Sequence, residues 1–362
     1  MKKEEIKVID LFCGIGGLTH GFVQEGFNVV AGIDNDSSCK FPFEANNNSK
    51  FISKDIRDVE GNDITMLFDN SKIKILVGCA PCQPFSTYSF KSPDHSNDSK
   101  KSKWGLLYEF ARIIEESKPD IISMENVPGL AKFDKTEVFK DFTDLLLKNG
   151  YYEPTIKIVD CQKYGIPQKR KRLVLLASKF GKIELIPETH SNSNEFVTVK
   201  DVIGHLEPLQ SGESSVIDPI HKASKLSEKN LERIKHSKQG GSWKDWKDSL
   251  ILDCHKKNSG KTYGSVYGRM KWNEPAPTMT TFCTGIGNGR FGHPEQDRAI
   301  SLREAALFQT FPESYKFAED ASKISITKLS TYIGNAVPVL LGNVIAKSIK
   351  IHLNNRNNGT DI

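Results

Sequence analysis

Short apolar runs alternate with longer amphipathic stretches through the first half of this chain, and no other feature narrows its fold as much. The runs IKVIDL (6–11), NVVAGI (28–33), FIS (51–53), IKILV (73–77) and DIISM (120–124) read as strands. Between them lie helical patterns such as 17–25 and 105–117. In the second of these, Leu106, Leu107, Phe110, Ile113 and Ile114 recur at helix spacing. Strands that alternate with helices predict a parallel, doubly wound α/β sheet. Two further strands are expected at 154–159 and 173–177. An apolar helical pattern returns over 334–351 and suits packing back onto the first domain.

The length of 362 residues predicts two domains. We place the first at 1–185 plus 331–362 and the second, smaller and irregular, at 186–330. Periodicity weakens from about 186, and Ser, Lys, Asn and Gly become frequent. Over 221–275 there are 13 Lys and Arg against 6 Asp and Glu, interleaved with Trp243, Trp246, Tyr263, Tyr267 and Trp272. That is the composition of a nucleic-acid-facing surface, or of a solvated lysine-rich face. The overall charge of +5 is too mild to choose between them. The stretch GIGNGRFGH (285–293) reads either as a loop whose backbone approaches DNA or as a cluster of turns. Seven scattered cysteines fit reduced thiols in a cytoplasm rather than a disulfide framework. The N-terminus meets Glu4, Glu5 and Asp10 before any long apolar stretch, so neither a signal peptide nor a membrane span is expected there.

In open α/β sheets ligands sit beyond the carboxyl ends of the strands. The first run is followed by Phe12-Cys-Gly-Ile-Gly-Gly17, a glycine turn that lets backbone N–H groups approach a ligand. Asp34 follows the second run, Asp55 the third, Cys82 the fourth and Glu125 the fifth. The turn together with Asp34 points to an adenosine-type cofactor, either a dinucleotide or S-adenosyl-L-methionine; the missing GK[ST] ending argues against ATP. Cys79 and Cys82 form a CxxC, but no second pair completes a zinc site, so no metal is expected. Cys79 ends its strand and reads as a structural thiol. Cys82 follows Pro81 in a loop at the ligand edge, the place of a nucleophile.

Six motifs then occur in one order: Asp10-Leu-Phe-Cys-Gly-Ile-Gly-Gly17, Pro81-Cys-Gln-Pro-Phe-Ser86, Glu125-Asn-Val127, Gln168-Lys-Arg-Lys-Arg172, Arg303-Glu-Ala-Ala-Leu-Phe-Gln-Thr-Phe-Pro312 and Gly334-Asn-Ala-Val-Pro338. In these the chain resembles the cytosine-5 DNA methyltransferase family, from residue 10 to about 346 except near 190–265. It departs from the family's pattern at Cys13, Ile15 and Leu307-Phe308.

The resemblance implies methyl transfer from S-adenosyl-L-methionine to carbon 5 of a cytosine flipped out of double-stranded DNA. Cys82 would add to carbon 6, Glu125 would contact ring N3 and the exocyclic amine, and Arg172 would contact O2, with Arg170 in support. An unperturbed thiol is roughly 3% ionised at pH 7, so full ionisation gains about 2 kcal/mol. Enzymes supply about 8–23 kcal/mol, so the ring must be polarised as the sulfur adds. Arg172 precedes its strand; to meet Cys82 at the carboxyl edge, the strand at 173–177 must run antiparallel to the others. The resemblance also implies the cofactor contacts. Phe12 would lie against adenine or sulfonium, Gly14, Gly16 and Gly17 near the methionine part, and Asp34 on the ribose. Asn35 would stand beside adenine, with Asp55 and Ile56 at its edge. Pro81, Leu106, Asn335 and Val337 would close the pocket. The polar segment 91–103 is either a loop closing over the flipped base or an inert surface insertion, and the basic region would read duplex DNA. An RNA cytosine methyltransferase is the alternative enzyme, and a binding module that has lost activity the alternative non-enzyme. By analogy, a chain of this size is a monomeric bacterial modification enzyme paired with a restriction endonuclease.

Overall fold

The computed structural model describes residues 5–81, 97–132, 138–320 and 323–357. Its strands are β1 (Ile6–Leu11), β2 (Asn28–Asp34), β3 (Lys50–Ser53), β4 (Ile73–Gly78), β5 (Ile121–Asn126), β6 (Thr155–Asp160), β7 (Gln168–Lys169), β8 (Lys171–Ser178) and β9 (Ala276–Pro277). Five helices, α1 (Gly17–Gln24), α2 (Lys40–Asn47), α3 (Gly61–Phe68), α4 (Asn97–Ser117) and α5 (Val138–Lys148), are interleaved with the first six strands. Then come α6 (Val199–Ile203), α7 (Glu228–Lys235), α8 (Asp253–Lys256), α9 (Leu302–Phe308), α10 (Ile326–Asn335) and α11 (Val339–Asn357).

The chain forms two compact units. The first comprises residues 1–160, 171–188 and 337–362, and is a seven-stranded sheet in the order β3-β2-β1-β4-β5-β8-β6. Pairs β1–β2, β1–β4, β2–β3 and β4–β5 are parallel. Strand β8 is antiparallel to both β5 and β6. The expected α/β sheet with one reversed strand is therefore the observed fold. The central strands are buried on both faces, as parallel strands covered by helices must be. One face packs Ile9, Leu11 and Leu76 against Ile64 and Phe68 of α3 and Phe110, Ile113 and Ile114 of α4.

Helix α4 begins at Asn97, so residues 97–103, read from sequence as loop, are helical; 91–96 lie outside the described residues. That polar run has no apolar period to announce a helix. Lysine is nonetheless a good helix former, and the run continues directly into the amphipathic part of α4.

Helix α11 returns to this unit against α1, where a glycine decides the distance. A Cβ on Gly21 would sit 2.5 Å from the Val339 carbonyl oxygen and 2.6 Å from the Asn343 nitrogen. Gly21→Ala gains about 1 kcal/mol of helix propensity, but the clash is with backbone and forces the helices apart. Overpacking of this kind costs about 1–3 kcal/mol and occasionally more. A net loss is expected, read as a lowered urea midpoint with unchanged slope. The stretch Ile326–Arg356 has the length and hydropathy of a membrane span, yet 67% of its apolar window is buried in the protein, and Pro338 separates its two helices.

The second unit comprises residues 161–170 and 189–336 and has little regular structure. Its described sheet is the single parallel pair β7–β9. Without ladders, many of its carbonyls need other donors, and buried guanidinium groups supply them. Arg269, 5% exposed, donates to the carbonyls of Ser237, Ile234, His293 and Gln296 and pairs with Asp297. Arg298, fully buried, grips Glu304 through two 2.7 Å bonds.

Candidate active site

The glycine turn leaves β1 through three left-handed residues: Phe12 at φ 60°, Gly14 at φ 50° and Gly16 at φ 87°. Phe12 is the costly one, because a side chain at positive φ is disfavoured; such strain clusters at ligand sites. The Gly14 N–H donates to Asp34 Oδ2 at 2.9 Å, and Asp36 N–H donates to Oδ1 at 3.0 Å. Asp34 is thus locked beside the turn, with a lone pair left on each oxygen for hydroxyl donors. A Cβ built on Gly14 meets nothing within 4 Å, so that face of the turn is open. These residues fit an adenosine-type ligand.

Under the turn, Asp10 is buried and accepts from Thr19 Oγ1 at 2.6 Å, while its Oδ1 has no hydrogen-bond partner among the described residues. Burial pushes its carboxyl up to about 7; the Thr19 bond opposes this and the charge of Asp34 adds to it. The sign follows from proton binding. Between the unfolded value near 4 and about 7, the folded state holds a proton that the unfolded chain has released, so this group's contribution to stability falls as pH rises through that window. Asp10→Asn keeps an acceptor for Thr19 and cannot ionise. The variant is expected to match the wild type near pH 4 and to exceed it by a few kcal/mol at pH 8, at about 1.4 kcal/mol for each pH unit crossed. Urea titrations at the two pH values measure this.

Asp55 accepts from Arg57 Nε at 2.9 Å and Arg57 Nη2 at 2.6 Å, and its side chain also bonds Asn35. The Arg57 side chain chiefly, then the Arg57 backbone N–H, hold the Asp55 carboxyl down at about 2. Ile56 is buried in the core and Leu106 packs against it. Pro81 is exposed, and Val337 is buried in the first unit. Asn335 is exposed and belongs to the second unit.

The strand order lines these groups up at one sheet edge. From Asp55 after β3 the row runs through Asp34, the glycine turn, Cys79–Pro81 and Glu125 to Arg172 on β8. At about 4.8 Å per strand, the row from β2 to β5 covers about 14 Å. The sheet order reverses between β1 and β4, the topological switch point where such sheets bind ligands.

At the far end of the row stands Glu125, 2% exposed. The antiparallel register sets Glu125 opposite Val174 and Asn126 opposite Leu173, so the start of β8 meets the end of β5. Arg172 Nε consequently lies 2.9 Å from Glu125 Oε1. That N–H is not aligned for a hydrogen bond, and Oε1 remains buried without a hydrogen-bond partner among the described residues. The other oxygen, Oε2, accepts from the Cys79 thiol at 2.8 Å. The Asn126 amide donates to the Ala80 carbonyl at 3.1 Å and so fastens the loop after β4 to the end of β5. Cys82 lies outside the described residues. Chemically, a buried carboxyl with a free oxygen beside a guanidinium suits a planar polar ring that presents both donors and acceptors.

Arg170 belongs to the second unit. It is buried there, and Nη1 donates to the Met279 carbonyl at 3.0 Å and Nη2 to the Ala336 carbonyl at 3.3 Å. Two residues were undervalued in the sequence. Cys79 read as a structural thiol and Asn126 had no assigned role; the adjacency of Asn126 to Glu125 was the available signal.

In the second unit, the aromatic residues of the basic region largely face inward. Trp243 and Trp246 form a small core with Leu250 and Val266, packed against Tyr267, and His255 stacks on Trp243 at 4.5 Å. Trp272 donates to Glu295 at 2.7 Å, while Tyr263 is 39% exposed. Arg233 is also buried. Lys235, Lys238, Lys244, Lys247, Lys257 and Lys261 are exposed.

Residues 6–351 match the family of C-5 cytosine-specific DNA methylases. The chain is 57% identical, over 343 residues, to the type II methylase M.HgiDII of Herpetosiphon aurantiacus, covering 95% of this chain and 94% of that protein. It is 31% identical to the type II methyltransferase M.PspPI of Psychrobacter sp., covering 96% of this chain and 79% of the relative. In fold it is similar to the Spodoptera frugiperda DNMT2 crystal structure, with a TM-score of 0.59 and 18% identity over 96% of this chain and 99% of the other.

Proposed function

From the premise that this chain belongs to the C-5 cytosine-specific DNA methylase family, and is a DNA methyltransferase, we propose that it transfers a methyl group from S-adenosyl-L-methionine to cytosine in a specific duplex sequence. Bound S-adenosyl-L-methionine supplies an electrophilic methyl on a sulfonium. Asp34 would hold the ribose, the Gly14–Gly17 turn would receive the methionine part, and Phe12 would lie against the cationic end. Asn35, Asp55 and Ile56 would border adenine, and Pro81, Leu106 and Val337 would complete this unit's side of the pocket.

Cys82 loses its proton to solvent and adds to carbon 6 of a flipped-out cytosine, making the ring an enamine. The adduct makes carbon 5 nucleophilic toward the methyl group that bound S-adenosyl-L-methionine would supply. Loss of the carbon 5 proton and expulsion of the Cys82 thiolate restore the ring. Glu125 and Arg172 polarise the ring at N3, the exocyclic amine and O2 while the sulfur adds. The observation that carries this reading is the meeting of Glu125 and Arg172 across the β5–β8 pair, with Oε1 left to bond a base. Arg170 acts through the loop it secures.

The second unit is the DNA-recognition domain, whose exposed lysines neutralise phosphates. Type II names among the relatives support a modification enzyme opposite a restriction endonuclease; the reading also takes it to act as a monomer in a bacterial cytoplasm. Bisulfite sequencing of DNA from cells expressing the protein tests the proposal. Methylated cytosines in one repeated sequence context are expected; unmodified DNA, alongside labelled-methyl transfer to transfer RNA, would overturn it.

A further inference from the structure

Among the described residues, the Glu125 carboxyl is buried and has one aligned hydrogen bond. The donor is the Cys79 thiol, at 2.8 Å from Oε2. Arg172 attracts Oε1 from 2.9 Å but does not aim its N–H at it. A glutamate side chain has three rotatable bonds, and ordering it costs about 1.5–2 kcal/mol. An ion pair without a directed bond constrains where the charge sits more than how the carboxyl plane is turned. The thiol bond supplies the missing direction. The thiol is itself well placed to do so, because the backbone is tied down at and beside it. Cys79 N–H donates to the Leu11 carbonyl at 3.4 Å, and the next carbonyl, of Ala80, accepts from Asn126 at 3.1 Å.

We infer that Cys79 is a positioning residue for methyl transfer: its thiol holds Glu125 by Oε2, so that Oε1 is the oxygen presented to the cytosine edge. This rests on the assignment of Glu125 as the ring-contacting acid. Cys79 forms no bond to substrate and transfers no proton out of the site. It acts by keeping one rotamer of Glu125 populated. A residue without a donor would leave Oε2 buried and unbonded, and the carboxyl free to turn.

The test compares Cys79→Ala, Cys79→Ser and Glu125→Gln, alone and with Cys79→Ala added to Glu125→Gln, in single-turnover methyl transfer at saturating duplex and cofactor. Cys79→Ala is expected to slow the turnover about ten-fold, equivalent to about 1.4 kcal/mol, without weakening the binding of duplex or S-adenosyl-L-homocysteine. Cys79→Ser restores an aligned donor and should recover to within about three-fold of the wild-type rate. In the Glu125→Gln background, Cys79→Ala should cost clearly less than ten-fold, since the amide that the thiol still bonds has no charge to present to the ring. Three results would overturn the inference alone: a wild-type rate in Cys79→Ala, equal losses in the alanine and serine variants, or losses that multiply in the double variant. A wild-type rate in Glu125→Gln would instead remove the assignment of Glu125, and the role of Cys79 with it. If Cys79→Ala does not fold, Cys79→Val, which fills the site without a donor, takes its place against Cys79→Ser.

Discussion

Cys82→Ser is expected to abolish methyl transfer to DNA, by roughly four orders of magnitude or more in single turnover, as deletion of a nucleophile does in other enzymes. A serine hydroxyl is scarcely ionised at neutral pH, and nothing in the motif supplies the general base that serine nucleophiles need. The serine differs from cysteine by one atom, so the thermal midpoint should not move. Binding of duplex and cofactor should persist, because the contacts assigned to them come from other residues. Covalent capture on DNA containing 5-fluorocytosine gives an independent reading: the wild type should form an adduct stable to denaturation, and Cys82→Ser none. A serine variant that methylated DNA at the wild-type rate would end the covalent mechanism.

The second large effect is expected at Glu125. Glutamine has the same shape but carries no charge and cannot donate a proton to N3, so Glu125→Gln should lower turnover by about 10²–10⁴. Its fold should survive, since an amide oxygen still accepts from Cys79. Glu125→Ala is expected to behave differently. It leaves the Arg172 guanidinium, with a side chain only 14% exposed, without its partner. Breaking a buried pair in this way costs about 3–5 kcal/mol, so the alanine variant should lose stability as well as rate. Chemical denaturation separates the two variants: a Glu125→Gln protein as unstable as Glu125→Ala would mean that the carboxyl is there for structure. A shared loss of rate with unequal stability is the expected outcome.

Much of the first unit could be read in advance because each element announces itself locally. The runs at 6–11, 28–33 and 73–77 match β1, β2 and β4 to within a residue, since strands buried on both faces are nearly continuous apolar runs. The reversal of β8 was legible for a different reason: Arg172 and Cys82 could share an edge in no other orientation, and the structure has that orientation. The second unit was far less legible. Its aromatics and two of its arginines resemble a binding surface in composition, yet Trp243, Trp246, Arg233 and Arg269 are buried. An irregular domain must satisfy its own carbonyls and build small cores, and it recruits the same residue types that a nucleic-acid surface uses.

By itself the sequence determined the alternation of strands and helices, and with it the row of acids and glycines beyond the carboxyl ends of the parallel strands. Those outcomes depend on side-chain periods within a dozen residues, which a linear reading can follow. Only the tertiary structure decided that the Cys79 thiol would meet a carboxyl 46 residues away, and that Arg170 and Arg172, separated by one residue, would serve different units. Hydrogen-bond partners depend on distance and direction in space, and chain order carries no record of either.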